Sequence, residues 1–268
     1  MSGCLMKIIK DERKQMEKGR HYRIIAGGKV CFDNIPEVSP DDIIWVAADS
    51  GAAALLSNGI MPDILVGDLD SIAEKDLNQI KNDGQIEIFR FPAEKDMSDT
   101  YLALQLVSLL EDGGPEELWT EWAQYHIPAA GSKFLKKWQR MSHITGLAQV
   151  DILGASGSRP DHSLANYWIA YGFVSQLNIT YWQEKSLAYP CVGKTVKYFK
   201  KNPQYPYFSI LPVSEQICGL TLTGFRYPLF NAKVRQEEAS LLLSNEIIDE
   251  NAFFSITAGK VLIFRTKD

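Results

Sequence analysis

Between residue 22 and about residue 176, short apolar runs alternate with longer stretches of helical periodicity, the pattern of βαβ units on a mostly parallel sheet. The strand-like runs are 22–26, 43–47, 64–66, 86–91 and 150–153. The stretches 51–58, 73–81, 99–111 and 163–176 suit helices, the last two with apolar residues at helical spacing. After about residue 178 the texture changes to β-branched and aromatic residues in short runs such as NITYW, TVKYF, YFSILPV and KVLIF, broken by Gly, Pro and Asn. That half predicts an all-β sandwich or barrel. The expected division is an N-terminal extension 1–20, an α/β domain 21–180 and a β domain 181–268.

One segment interrupts the α/β pattern. In 115–149, Leu118, Trp122 and Tyr125 fall at helical spacing, as do Phe134, Trp138 and Met141. Pro128 and Gly131 lie between the sets, and Ser132 stands where a helix cap belongs. A helical hairpin is predicted, its aromatic stripes packing as core rather than lining a ligand box. A crossover after a parallel strand returns to the N-terminal edge of the sheet, so the hairpin belongs on that side. Trp45 and Trp168, in apolar runs, also read as core.

The formal charge of −5 gives no general attraction to nucleic acid or an anionic membrane, so neither is an expected partner. Cys4, Cys31, Cys191 and Cys218 form no C-x-x-C pair, and His21, His126, His143 and His162 form no H-x-x-x-H pair, which disfavours structural zinc and a disulfide framework. The first twenty residues hold no signal-peptide core, and no apolar run approaches the roughly 18 residues of a membrane span. A soluble, cytoplasmic protein is expected.

The positions of the carboxylates carry the chemistry. Asp49 follows IIWVAA, Asp68 and Asp70 follow ILVG, Asp96 and Asp99 follow IEIFRFP, and Asp161 follows VDILGAS. Ligands of an open parallel sheet bind outside the C-terminal ends of its strands, where these acids converge. Asp49, Asp96 and Asp99 each admit both a cap and a ligand reading, and Ser71 with Glu74 reads as a capping box. Asp68 and Asp70, alternate residues of an extended run, share a face and repel unless a cation lies between them. Clustered carboxylates suit a hard cation, and magnesium on a nucleotide fits best. Gly154–Arg159, G-A-S-G-S-R, is a small-residue turn whose backbone N–H groups suit phosphate, with Arg159 adding a bidentate contact. There is no P-loop signature.

These motifs resemble those of the thiamine pyrophosphokinase family, in order: A-A-D-S-G-A at 47–52, P-D-I-L-V-G-D-L-D-S-I at 62–72, E-K-D-M-S-D-T at 94–100 and L-G-A-S-G-S-R-P-D-H-S-L-A-N at 153–166. S-I-L-P-V-S at 209–214, G-F-R-Y-P-L at 224–229 and S-N-E at 244–246 continue the likeness. The resemblance implies an N-terminal, mostly parallel Rossmann-like α/β domain, a C-terminal all-β sandwich and a homodimer. It implies Mg²⁺-dependent transfer of pyrophosphate from ATP to the hydroxyl of thiamine. Metal and phosphate would fall to Asp68, Asp70, Asp96 and Asp99, and the nucleotide to Asp49, Ser50, Gly51, Asp96, Ser98, Gly154 and Arg159. Arg159 and Asp161 would flank the transferred group, Asp161 or Asp99 would take the hydroxyl proton, and Ser244 with Asn245 would face thiamine. Ser50, Ala53 and Pro160 depart from the family pattern, 115–149 has no counterpart in it, and the aromatic that stacks on thiamine has no evident match. A pyrophosphokinase acting on a hydroxymethyl pterin and a non-catalytic nucleotide or thiamine sensor are the rival readings.

Overall fold

The computed structural model describes residues 19–268, so the expected extension 1–20 lies outside the described residues except for its last two. Gly19 and Arg20 already belong to strand β1 (Gly19–Ile25). The strand starts three residues before the apolar run because its polar beginning pairs with a neighbour, Gly19 against Gly146. A Cβ on Gly19 would lie 1.9 Å from the Leu147 carbonyl oxygen, so only glycine permits that approach.

The chain forms two compact units, residues up to 169 with 176–179, and residues 170–175 with 180–268. In the first, β1 is followed by β2 (Ile43–Ala48), β3 (Ile64–Gly67), β4 (Glu87–Arg90), β5 (His126–Ile127) and β6 (Gly146–Leu153). They lie in the order β6-β1-β2-β3-β4-β5, parallel except for β5. Every residue of β2 is buried, as befits a central parallel strand covered on both faces. The chain moves outward from β1 to β4 and then returns to β6 on the other side of β1. That reversal opens a crevice at the C-terminal ends of β1 and β6.

Among the described residues six α-helices serve this sheet: α1 (Gly51–Ser57), α2 (Glu74–Asp83), α3 (Asp99–Asp112), α4 (Glu116–Ala123), α5 (Lys133–Arg140) and α6 (Pro160–Ile169). Helix α6 begins three residues before its expected start, because Pro160 is pre-set for a first helical turn. It ends in a 3-10 turn at Ala170–Gly172 instead of running to residue 176. The capping box at Ser71 does not form: α2 starts from Ala73 without a side-chain cap, and the Ser71 hydroxyl donates to Asp70 Oδ1 at 2.9 Å. Trp45 is core, but Trp168 is half exposed, since α6 turns it outward together with Leu164 one turn earlier.

The segment 115–149 holds the two expected helices, with Ser132 capping α5 by accepting from the Leu135 N–H at 3.1 Å. Between them, β5 adds an unexpected antiparallel edge strand to β4. Trp122 is fully buried edge-on against Phe89 and Phe91, at 5.4 and 4.8 Å between ring centroids. Helix α5 packs at the ends where the parallel strands begin. Lys137 Nζ donates to the Ile43 carbonyl at 2.9 Å and to Asp63 at 2.8 Å, and the Arg20 guanidinium lies 4.2 Å over Trp138.

The chain passes into the second unit within β7 (Leu177–Trp182). The remaining strands are antiparallel: β8 (Ser186–Val192), β9 (Thr195–Lys200), β10 (Tyr207–Pro212), β11 (Gln216–Thr223), β12 (Leu229–Arg235), β13 (Asn245–Glu246), β14 (Asn251–Ile256) and β15 (Lys260–Thr266). One run reads β13-β10-β15-β8-β7 and a second sheet β12-β11-β14-β9. Alternate residues of both, among them Phe208, Ile210 and Ile263 from the first and Leu220, Leu222 and Phe254 from the second, bury in one shared core. Among the described residues no helix is long and apolar enough to cross a membrane.

Candidate active site

Loops following β1, β2, β3 and β6, with the start of α3, enclose a cleft of about 880 Å³ at the crevice, wholly within the first unit. Its floor requires bare backbone. Gly154 has φ +69°, and a Cβ there would come within 2.5 Å of the Ala26 carbonyl oxygen. Gly28 donates its N–H to the Gly154 carbonyl at 2.8 Å, locking the loop after β1 to the loop after β6. Asn166 holds Ala155 by donating to its carbonyl at 2.7 Å, and the Ser163 hydroxyl accepts from the Gly157 N–H at 3.3 Å. The small-residue turn is thus fastened to α6 while it lines the cleft.

Asp49, Ser50, Ser98, Asp99, Gly154 and Arg159 line this space. Carboxylate oxygens of Asp49, Asp68 and Asp70 lie within 4.8 Å of one another. Asp68 and Asp70 meet through a turn, not by alternation along an extended run. Leu69 takes φ +67°, and the Asp70 N–H folds back onto Asp68 Oδ1 at 3.3 Å. Asp49 is itself left-handed at φ +46° and buried, and its Oδ1 has no hydrogen-bond partner. Space for it depends on Gly67, where a Cβ would lie 2.9 Å from the Asp49 Cβ and 3.0 Å from Asp99 Oδ1. Hard oxygen donors with an orphaned buried atom are the arrangement a divalent cation completes.

Lys95, absent from the sequence expectation, is the cation among these acids. Its Nζ lies 2.5 Å from Asp68 Oδ2 and 3.1 Å from Asp99 Oδ1. Burial works against the Asp68 charge, but Lys95 and the Asp70 N–H outweigh it and hold that carboxyl below the ordinary range. Burial raises Asp99 instead; Lys95 opposes the rise, and Asp49 and Asp68 add to it. Burial likewise disfavours the Lys95 charge, and its two carboxylates overcome this and raise it. The signal for Lys95 was the repulsion between Asp68 and Asp70, which demanded a cation without naming one.

Other expected residues are placed differently. Asp96 is exposed and stands outside the carboxylate cluster. Gly51 is buried at the start of α1, where a Cβ would meet the Ile25 carbonyl oxygen at 1.9 Å. Ser98 caps α3, accepting from the Tyr101 N–H at 3.3 Å. Arg159 pairs with Asp161 at 2.7 Å, and both side chains are about two-thirds exposed; this holds Asp161 below the ordinary carboxylate range. In the second unit Ser244 is exposed with φ +54°. The buried Asn245 accepts from the Tyr227 and Glu246 N–H groups at 3.0 and 2.9 Å and donates to the Tyr227 carbonyl at 2.9 Å, so it braces its own loop. Gly27, Gly28 and Lys29, which also line the cleft, follow β1 as a plain G-G-K turn that carried no sequence signal of its own.

A doubly wound α/β unit with an acidic, glycine-floored cleft at its switch point defines a nucleotide-phosphate enzyme. Residues 36–181 match the thiamin pyrophosphokinase catalytic domain and residues 196–261 the thiamin pyrophosphokinase vitamin B1 binding domain. The chain belongs to the thiamine pyrophosphokinase family and is accordingly an enzyme of diphosphate transfer. It is 28% identical over 249 residues to a thiamine pyrophosphokinase of Bacillus subtilis (strain 168), covering 91% of this chain and 98% of that one. The crystal structure of thiamine pyrophosphokinase from Bacillus subtilis superposes with a TM-score of 0.70 at 26% identity, over 92% of this chain and 99% of that chain. Thiamin pyrophosphokinase from Candida albicans shares the fold at a TM-score of 0.68 and 18% identity, over 95% and 90% of the two chains.

Proposed function

We propose that this chain transfers the terminal pyrophosphate of ATP to the hydroxyl of thiamine, with Mg²⁺, releasing AMP. The observation that carries the reading is the convergence of Asp49, Asp68 and Asp70 beside a glycine-floored cleft in a chain of this family. Asp68 and Asp70 hold the metal, with the orphaned Asp49 Oδ1 as a third donor and Asp99 beside them; exposed Asp96 is left for outer, water-mediated contact. When bound, Mg²⁺ supplies Lewis-acid neutralisation of charge on the phosphate oxygens.

The chain's own residues do the positioning. The turn Gly154–Arg159 and the Gly27–Lys29 loop receive the nucleotide phosphates, and Ser50 and Ser98 border them. Arg159 exchanges its exposed pair with Asp161 for the transferred group, where a planar fork stabilises developing charge. Asp99 lines the cleft and Asp161 does not, so Asp99 is the nearer acceptor for the hydroxyl proton.

The 181–268 domain, taken as a β-sandwich, binds thiamine, with Ser244 toward the acceptor and Asn245 shaping the loop that presents it. The hollow bordered by Tyr227, Leu229, Leu241 and Leu243 measures only about 50 Å³, far below the roughly 300 Å³ of a small-molecule site. Exposed Tyr227, Leu241 and Leu243 around it are a surface for a second copy, in keeping with a homodimer. Free Cys31, Cys191 and Cys218 accord with a cytoplasmic setting. The test is incubation with ATP, Mg²⁺ and either thiamine or a hydroxymethyl pterin. Thiamine diphosphate and AMP are expected. Transfer to the pterin alone would reassign the acceptor, and binding without AMP release would make the chain a sensor.

A further inference from the structure

Lys95 lies in the segment between β4 and α3, where Pro92, Ala93 and Glu94 before it and Asp96, Met97 and Ser98 after it are all exposed. Its own side chain turns inward and is only 11% exposed. Lysine is strongly hydrated and seldom buried unless paired, so this inward turn is set by what it meets. It meets Asp68 at 2.5 Å and Asp99 at 3.1 Å. Each Asp68 oxygen then already has a donor, Oδ2 accepting from Lys95 and Oδ1 from the Asp70 N–H. Yet Asp68 also belongs to the trio whose oxygens converge within 4.8 Å. A divalent ion reaching that trio finds an ammonium already on one of its ligands.

We propose that Lys95 is a resident counter-cation, which holds the acidic cluster together before metal arrives and competes with the divalent ion for Asp68. The inference rests on the reading of Asp49, Asp68 and Asp70 as a metal site. Two cations cannot share one carboxylate at such range without repulsion, so metal binding requires Lys95 to loosen from Asp68 while Asp99 retains it. The bare ion is therefore bound weakly, and the ion carried on nucleotide phosphate is favoured, because the phosphate charge gives the displaced ammonium a new partner. Lys95 is in this sense a positioning residue that tunes when the site fills.

The probe is Mn²⁺ alone, without nucleotide, titrated by electron paramagnetic resonance into the full chain and into Lys95→Met, Lys95→Arg and Asp68→Asn, with melting temperatures in chelator. Lys95→Met should bind Mn²⁺ about tenfold more tightly than the unaltered chain. It should melt lower in chelator and recover on adding Mn²⁺. Lys95→Arg should keep the original metal affinity and chelator stability. Should Lys95→Met fold only with Mn²⁺ present, the counter-cation role is supported; failure to fold in either condition overturns it. Unchanged or weaker Mn²⁺ binding by Lys95→Met also overturns it. An Asp68→Asn variant that binds Mn²⁺ as well as the unaltered chain would instead sink the metal site itself, whatever Lys95 does.

Discussion

The two ends of the parallel sheet treat charge in opposite ways. Where the strands begin, Arg20 makes a bidentate pair with Glu111 at 2.8 and 3.1 Å, and Lys137 meets Asp63 at 2.8 Å. Where they finish, Asp49, Asp68 and Asp70 converge, Lys95 pairs with Asp68 and Asp99, and two non-glycine residues, Asp49 and Leu69, take left-handed backbone. The first end is self-satisfied and holds the fold. The second keeps a repulsion that Lys95 offsets only in part, together with strained backbone, the mark of a working edge supported by the rest of the domain.

The largest expected effect tests the strained end. Asp68→Asn and Asp70→Asn should each lower AMP release by about 10³-fold. In chelator Asp68→Asn should melt lower, because it also breaks the pair with Lys95, whereas Asp70→Asn should melt level or higher, since it removes a like charge. Normal turnover of either at limiting Mg²⁺ would erase the contrast. At the satisfied end, Lys137→Met leaves Asp63 buried without its cation and should lower stability by about 3–5 kcal/mol in denaturant unfolding, with kcat kept within a few-fold. Unaltered stability would mean that the pair is ornamental. Arg159→Lys should reduce turnover by roughly tenfold to a hundredfold with stability unmoved, because the fork is exposed and its pair with Asp161 contributes little to folding. Smallest of all, Ser244→Ala should raise the thiamine KM by about two- to threefold without touching the ATP KM, whereas Asn245→Ala should chiefly destabilise its loop, by about 1–3 kcal/mol. A selective loss of ATP binding in either variant would transfer this loop to the other substrate.

The two ends also differed in how far the sequence foretold them. The apolar runs of β2 and β3 and the two helical stripes, one holding Trp122 and the other Phe134 and Met141, were legible because burial leaves a local periodic trace. Strand β5 was not, since two residues carry no period and its existence depends on pairing with β4 across the chain. Asp68 and Asp70 were legible as a pair, but the turn at Leu69 that joins them was hidden, leucine being a poor advertisement for a left-handed residue. Lys95 vanished among the charges of E-K-D, where nothing distinguishes an inward lysine from a solvated one. Trp168 misled for the converse reason: an apolar neighbourhood in sequence ended on the outside of a helix.

Gly67 carries a consequence for the ways this sequence can drift. At φ +146°, with a would-be Cβ facing Asp49 and Asp99 at contact distance, it stands in a conformation hostile to side chains and in a space that has no room for one. Alanine, the smallest step away, already collides with two acids of the site. In a saturation library, position 67 should therefore be a closed locus at which every substitution is lost on stability as well as on activity. Leu69, left-handed at φ +67°, is constrained differently: its side chain is buried, so glycine there would ease the backbone at the expense of packing. Along three consecutive codons the lineage would then show one immovable glycine, one acid of the proposed metal site and one leucine held by its packing.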